Sequence, residues 1–229
     1  MGVSSTALTP QQLEFLRSVD SPTVANAVEA FNLRDRCDGF IGGSIRCLFP
    51  DLGVMLGYAL TVTMSSVSGP VASREGYWRM WQALERAPKP AVIVVQDVSG
   101  SPTRCAYFGE VMATIARRLG AEGVVTDGGV RDLAEVRAIG LHYFAPHPVV
   151  SHGNFHIVDV GIPVTLDGQL VQPGDLLHGD ANGIVAVPTR VLDELPRAVA
   201  AVRERERRIM DYVLGPDFSL DGLRELSGR

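Results

Sequence analysis

Apolar and polar positions follow two different rhythms along this chain, and the rhythm changes near Pro148. Thr9-Pro10 reads as N-cap and first helical position, opening a helix through Val19. Ser21-Pro22 repeats the signal for a second helix to about Phe31. After a glycine-containing loop, Ser44–Phe49 and Val54–Met64 read as strands. Gly57 inside the second of these predicts a bulge or a close backbone approach. Ser73–Arg86 is helical, with Tyr77, Trp81 and Leu84 on one face, and Ala91–Gln96 is an unbroken apolar run of strand length, as in a strand buried on both sides. Phe108, Val111, Met112, Ile115, Ala116 and Leu119 fall at helical spacing, with Gly120 closing that helix. Val124–Thr126 is a short strand, a helix is expected from near Val130 to Gly140, and His142–Ala145 is again a strand. Residues 91–145 therefore alternate β-α-β-α-β, the pattern of a parallel layer.

Beyond Pro148 the runs become short and rich in Val and Ile: Phe155–Val160, Pro163–Leu166, Gln169–Val171 and Ile184–Val187. Asp167-Gly168 has the character of a two-residue hairpin turn and Pro173-Gly174-Asp175 of another turn, so this half reads as an antiparallel β section. Thr189 is expected to cap a charged helix to about Tyr212, whose Arg203–Arg208 run of alternating charge reads as a solvated face. The prediction is a single α/β domain over residues 1–229, with a core at about 20–190 and terminal helices. It is not doubly wound, and no GxGxxG follows a strand.

Composition narrows the class of function. The 229 residues are 46% apolar and 21% charged, in the range of globular domains. The net charge of −5 argues against a nucleic-acid partner. Ala91–Val95 and Val54–Val62 fall well short of the roughly 20 residues of a membrane-spanning helix. The N-terminus has no basic region followed by an apolar run, so no secretory signal is expected. Met1-Gly2 with Thr6 fits the loose myristoylation pattern, but a flexible polar terminus is the plainer reading. Cys37, Cys47 and Cys105 are odd in number and lack CxxC spacing, which points to buried apolar residues in a reducing cytoplasm. The five histidines (His142, His147, His152, His156, His178) fall in one segment and read as polar lining or surface.

The candidate chemistry sits in Thr126-Asp127-Gly128-Gly129-Val130-Arg131-Asp132. Two glycines let backbone approach a ligand, a following helix start favours an anion, and an Arg and an Asp stand side by side there. Strand-to-helix loops of α/β layers are where ligands settle, which favours a functional reading over a simple helix-dipole role for Asp132. A second helix start lies at Phe108-Gly109-Glu110-Val111. If the two loops are neighbours, Glu110, Arg131 and Asp132 converge; taken alone, Glu110 is a first-turn acid stabilising its own helix.

The run from Ala91 to Pro188, through FGEVMATIARRLGAEGVVTDGGVRDLAEVRAIG and GIPVTLDGQLVQPGDLLHGDANGIVAVP, resembles the RraA-like family. That family comprises 4-hydroxy-4-methyl-2-oxoglutarate / 4-carboxy-4-hydroxy-2-oxoadipate aldolases and regulators of ribonuclease activity. SPTVANAVEA (Ser21–Ala30) and GYALTV (Gly57–Val62) match more loosely. The resemblance implies a swivelling β/β/α fold assembled as trimers or dimers of trimers. It also implies a divalent cation, Mg²⁺ or Mn²⁺, held through Asp132, with Arg131 holding a 2-oxo acid. Glu110 would hold metal-bound water, and the backbone from Gly109 through Val111 and Met112 would bind the substrate carboxylate. Glu29, and Glu204 or Glu206, lie in the regions from which a neighbouring subunit would supply a further carboxylate. Regulators without aldolase activity tend to lose the Asp of the Arg-Asp pair, and Asp132 is kept here. The resemblance thus implies a metal-dependent lyase releasing pyruvate, with oxaloacetate decarboxylation as a related activity; its alternative is a non-catalytic regulator that binds a ribonuclease. Quinone methyl transfer, another activity attached to the family, is disfavoured because no Gly-rich methyl-donor motif ends a first strand. Three features depart from the family pattern. Asp97–Pro102 replaces a Gly-rich segment and is expected to line the substrate pocket, Asn26 stands where an Asp is common, and Asp180-Ala181-Asn182-Gly183 is read as a turn without a catalytic role.

Overall fold

The computed structural model describes residues 7–66 and 73–228, which leaves the Met1-Gly2 pattern and Thr6 outside the described residues. Among the described residues the α-helices are α1 (Pro10–Arg17), α2 (Ser21–Glu29), α3 (Glu75–Arg86), α4 (Glu110–Arg118), α5 (Leu133–Ile139), α6 (Leu195–Leu214) and α7 (Leu220–Ser227). The first five strands are β1 (Phe40–Ile41), β2 (Arg46–Cys47), β3 (Met55–Ser66), β4 (Ala91–Asp97) and β5 (Ala106–Phe108). Four more are β6 (Ala121–Thr126), β7 (Gly129–Val130), β8 (His142–Ala145) and β9 (Phe155–Val160). The last four are β10 (Val164–Leu166), β11 (Gln169–Val171), β12 (Leu176–Asp180) and β13 (Gly183–Val187).

A nine-stranded mixed sheet runs β1-β13-β12-β3-β4-β6-β8-β2, with β9 also paired to β3. Its centre, β3-β4-β6-β8, is parallel, and β12, β13, β1, β2 and β9 join it antiparallel. The continuous apolar run of β4 is explained by burial on both faces. Ile93 and Val95 pack with Trp81, Leu84, Ala113, Ala116 and Val136 in the α3-α4-α5 layer. Val92 and Val94 pack instead with Val164, Leu166 and Val171 of the β10–β11 hairpin. A hairpin, the main sheet and a helical layer thus make three strata, the β/β/α arrangement expected. A further apolar cluster joins α1, α2 and α6 to Leu56, Tyr58, Leu176 and Val185.

Local detail bears out several expectations and corrects others. Thr9 caps α1 in a reciprocal capping box with Gln12. Asp167 and Gly168 both take positive φ in the β10–β11 turn, the requirement of a type I′ hairpin. A Cβ on Gly57 would lie 2.9 Å from the Pro90 carbonyl oxygen, so the glycine marks a close approach of β3 to the entry of β4. The helix expected from near Val130 begins only at Leu133, because Gly129-Val130 pairs in parallel with β5. The apolar set assigned to one helix face also divides. Phe108 belongs to β5, Ala116 is buried, and Val111 and Ile115 are exposed. The segment after Pro173-Gly174-Asp175 forms β12, and Thr189 opens a short 3-10 turn before α6. No helix among the described residues is long and apolar enough to cross a membrane.

Candidate active site

β5 and β7 form a two-stranded parallel ribbon beside the main sheet, with Ala106 opposite Gly129 and Phe108 opposite Val130. This ribbon makes the two candidate loops neighbours. The Arg131 N–H donates to the Phe108 carbonyl (2.9 Å), and the Glu110 N–H donates to Asp132 Oδ2 (2.9 Å). Arg131 Nε lies 3.4 Å from the same oxygen. Asp132 is therefore the N-cap residue of α5 by position, while its carboxylate serves the N-terminus of α4. It adopts a left-handed conformation, φ 57° and ψ 48°, which non-glycine residues rarely take and which concentrates at functional sites.

Gly109 is the contact point between the loops. Its own backbone is extended, but a Cβ there would lie 2.5 Å from Asp132 Oδ2 and 2.8 Å from Arg131 Nε. Gly128 and Gly129 have a different reason from the one the sequence suggested. Their missing side chains make room for the Tyr107 ring and for Val149 with the Cys105 carbonyl, not for a ligand. The first-turn N–H groups of Val111 and Met112 have no acceptor among the described residues, since Ala113 is the first to bond within the helix, to the Gly109 carbonyl. They remain free donors at a helix N-terminus.

The loops open onto a cleft of about 640 Å³ between α3 and α4, lined by Gly109, Val111, Met112 and Arg131 from the site and by Tyr77, Trp78, Trp81, Tyr107 and Phe155 around it. Residues 97–102, expected to line it, are not part of its wall. Asp97 instead ends β4 one layer below. It accepts from Tyr107 Oη and from Ser99 N and Oγ (both 2.7 Å), and its N–H donates to Asp127 Oδ1 (2.6 Å). Burial, with the Asp97 charge adding to it, pushes Asp127 up to about 6. Burial, again reinforced by Asp97, pushes the Cys105 thiol up to about 11 and raises the Tyr107 phenol.

Glu29 and Glu206 are not brought to these loops within the chain. Glu29 lies 3.2 Å from Arg36, and Glu206 accepts from Asn26 Nδ2 (3.3 Å), both in the α2–α6 layer. Among the histidines only His152 lines the cleft; His142 and His178 are buried in the body of the protein rather than at its surface. Asp180, read as a turn residue, closes the β12–β13 hairpin and anchors α2 by accepting from Ser21 N and Oγ. Of the cysteines only Cys105 is fully buried, and Cys37 is exposed.

The described residues contain no group of three or more His, Cys, Asp or Glu side chains placed to share a metal ion. A closed tetrahedral centre is therefore not built here. A hard cation that keeps most of its water needs only one or two carboxylates. Asp132 fits that need: its side chain is about one-third exposed, and Oδ1 has no hydrogen-bond partner among the described residues.

The family model RraA-like (Aldolase/RraA) matches residues 23–186, a span that includes both loops. The chain belongs to the RraA-like family. An uncharacterised protein of Methanocaldococcus jannaschii is 26% identical over 82% of this chain and 88% of its own length. A Halalkalibacterium halodurans protein with the provisional name 4-hydroxy-4-methyl-2-oxoglutarate aldolase is 31% identical over 55% of the chain, and the match spans 61% of that relative. Among solved structures, a Streptomyces coelicolor protein described as an unusual member of the RNase ES inhibitor RraA protein family superposes with a TM-score of 0.67 at 22% identity, covering 92% of this chain and 99% of that one. The likeness extends over the whole RraA-like architecture and concerns the fold.

Sequence reasoning missed the aromatic wall of the cleft and the Asp97–Asp127–Tyr107 cluster. Tyr77 and Trp81 looked like an ordinary core face, and the signal that set them apart was Trp78 beside them, a large aromatic off that face. Asp97 at the end of a buried strand was visible, but its partners come from residues 10 and 30 positions away.

Proposed function

We propose that this RraA-like protein is a divalent-metal-dependent lyase that cleaves a 4-hydroxy-2-oxo acid to pyruvate. The observation that carries the reading is the meeting of Arg131, Asp132 and the N-terminus of α4 at one end of an open cleft. Mg²⁺ or Mn²⁺ would be held by Asp132, with Glu110 ordering water beside it, and would supply Lewis-acid stabilisation of a developing oxyanion. The chain's own groups then divide the work. The free N–H groups of Val111 and Met112, at the positive end of α4, receive the substrate carboxylate. Arg131, a fixed cation, pairs with the 2-oxo group as negative charge develops there. Glu110 is exposed on the first turn of α4, where its carboxylate can accept the C4 hydroxyl proton through one water. As that proton leaves, the C3–C4 bond breaks. The C4 oxygen becomes a carbonyl, and C3 keeps the electron pair as pyruvate enolate and then takes up a proton. Oxaloacetate would lose CO₂ by way of the same enolate. Glu29 and Glu206 are at the surface of the α2–α6 layer, paired with Arg36 and Asn26 and not with their own chain's loops. A role for either at the site belongs to an assembled trimer or dimer of trimers.

The test is pyruvate release from 4-hydroxy-4-methyl-2-oxoglutarate and from oxaloacetate, with Mg²⁺ or Mn²⁺ and with chelator. Metal-dependent release from either is the expected result, and its absence from both sinks the stated substrate class. Asp132→Asn is expected to cost at least about 100-fold in kcat/KM, on the order of 3 kcal/mol in transition-state stabilisation, with an unchanged circular dichroism spectrum. Full activity in that variant would remove Asp132 from the metal site.

A further inference from the structure

The cleft beside Arg131 is larger than a pyruvate moiety requires and is chemically one-sided. Tyr77, Phe155 and Tyr107 form a continuous aromatic run, with ring centroids 5.7 and 5.3 Å apart. Across the opening stand Trp78, 62% exposed, and Val111, 73% exposed, with Ile115 one turn further along α4. Tyr107 and Phe155 belong to the buried core and Tyr77 packs against it, whereas Trp78, Val111 and Ile115 lie exposed outside it, and all of them gather at one concave place. Among the described residues no Asp or Glu lines the cleft, and its basic side chains are Arg131 at the site, Arg74 on α3's leading edge and His152. An anionic ligand with a flat apolar body matches that lining.

Resting on the lyase reading for the placement of the 2-oxo acid head, we infer that the distal part of the ligand is aryl or similarly bulky and apolar, seated against Trp78, Tyr77, Phe155 and Val111, and not a second carboxylate. Arg131 and the α4 amides hold the 2-oxo acid end. The aromatic run holds the ring edge-on, and Trp78 closes over its outer face. A dicarboxylic 2-oxo acid would bring its second charge against these rings, with the exposed, water-solvated Arg74 the one arginine or lysine beyond Arg131 among the described lining residues.

The experiment is titration calorimetry of the Mg²⁺-loaded protein with phenylpyruvate and with 2-oxoglutarate, which share the head group and differ in the distal one. Phenylpyruvate is expected to bind at least tenfold more tightly, and Trp78→Ala is expected to remove most of that preference while leaving 2-oxoglutarate binding within about twofold. Equal or tighter binding of 2-oxoglutarate, or no binding of phenylpyruvate, overturns the inference. So does a Trp78→Ala protein that keeps the full preference but sediments as a smaller species, because the wall would then belong to a second copy. Arg74→Ala is the converse control: a large loss confined to 2-oxoglutarate would assign the distal position to a carboxylate. The two readings fail separately. Pyruvate release is therefore also followed from a 4-aryl-4-hydroxy-2-oxobutanoate: no metal-dependent release from aryl or dicarboxylic substrates sinks the lyase reading, whereas the binding preference stands or falls without turnover.

Discussion

Asp180 ends one sheet strand and Asp127 follows another, and both are at least half-buried, yet their surroundings drive them in opposite directions. Burial acts to raise Asp180, but it accepts from Ser21 Oγ and N (2.6 and 2.7 Å) and from Asn182 N and Nδ2 (2.8 and 3.1 Å), and these donors leave it below its usual range. Asp127 has one such donor, the Asp97 N–H, and the carboxylate of that same residue faces it; burial prevails and its pKa rises to about 6. The outcome is set by the N–H and O–H groups aimed at the oxygens weighed against burial. The corner that anchors α2 to the β12–β13 turn is fully satisfied, as a structural joint should be. The β4–β6 end beneath the cleft keeps two acids in contact, an arrangement with a standing cost that recurs where proteins do chemistry.

Substitutions can break that contrast from either side. The largest stability effect is expected at the satisfied corner. Asp180→Ala strips two partners from Ser21 and two from Asn182 and should lower unfolding free energy by about 3 kcal/mol in urea titrations. Activity per folded molecule should hold, because no part of the cleft touches this joint. Asp127→Asn should do the reverse. The folded pKa of Asp127 lies above its unfolded value of 3.8, so its burial is costless when protonated, and stability is lost as pH rises through about 4 to 6. Removing the charge should restore on the order of 2–3 kcal/mol above pH 6 and nothing near pH 3, visible as a widening Tm difference across that window. A wild-type-like pH slope in this variant would deny the frustration assigned to the acid pair. His142 acts in the other direction: burial holds it down to about 4, so stability falls as pH drops from about 6.5 to 4. His142→Phe should flatten that acid limb, by about 3 kcal/mol at most. Gly109→Ala is expected to be the mildest for the fold, about 1–2 kcal/mol, because only a carboxylate and a guanidinium must shift. Those are the groups the proposed chemistry uses, so activity should still fall at least tenfold.

The body of the molecule was legible because its burial is written in unbroken apolar runs. β4 is buried on both faces and could hardly be anything else, and α1 and the β10–β11 turn carried explicit cap and turn residues; α2 is capped by Asp20, one residue before the Ser21 expected, because the Asp20 carboxylate takes the Thr23 N–H. The errors cluster where pairing is non-local and short. Gly129-Val130 looked helical because nothing in its neighbourhood announces that β5, more than twenty residues earlier, supplies its ladder. β12 has only two apolar residues in five and is held as a strand by β3 and β13 on either side. α7, placed by Ser219 and by leucines at Leu220 and Leu223, lay past the point where the charged helix was expected to finish. For the site, the Arg131-Asp132 pair stood out in the sequence, but its dependence on the α4 N-terminus did not. That dependence comes from a left-handed Asp132 reaching over a glycine that lacks a side chain to obstruct it.

β3 has a temporal consequence. Tyr58 lies beside both Ala91 and Leu176, and Val62 beside both Val95 and Val160. One edge of this strand is therefore complete once β4 has been made, while the other stays bare until β9 and β12, between Phe155 and Asp180, have been added. A nascent chain must carry that apolar edge unpaired through a long middle stretch of its synthesis, so the molecule is expected to assemble slowly and to be most prone to wrong pairings just before β9 and β12 arrive.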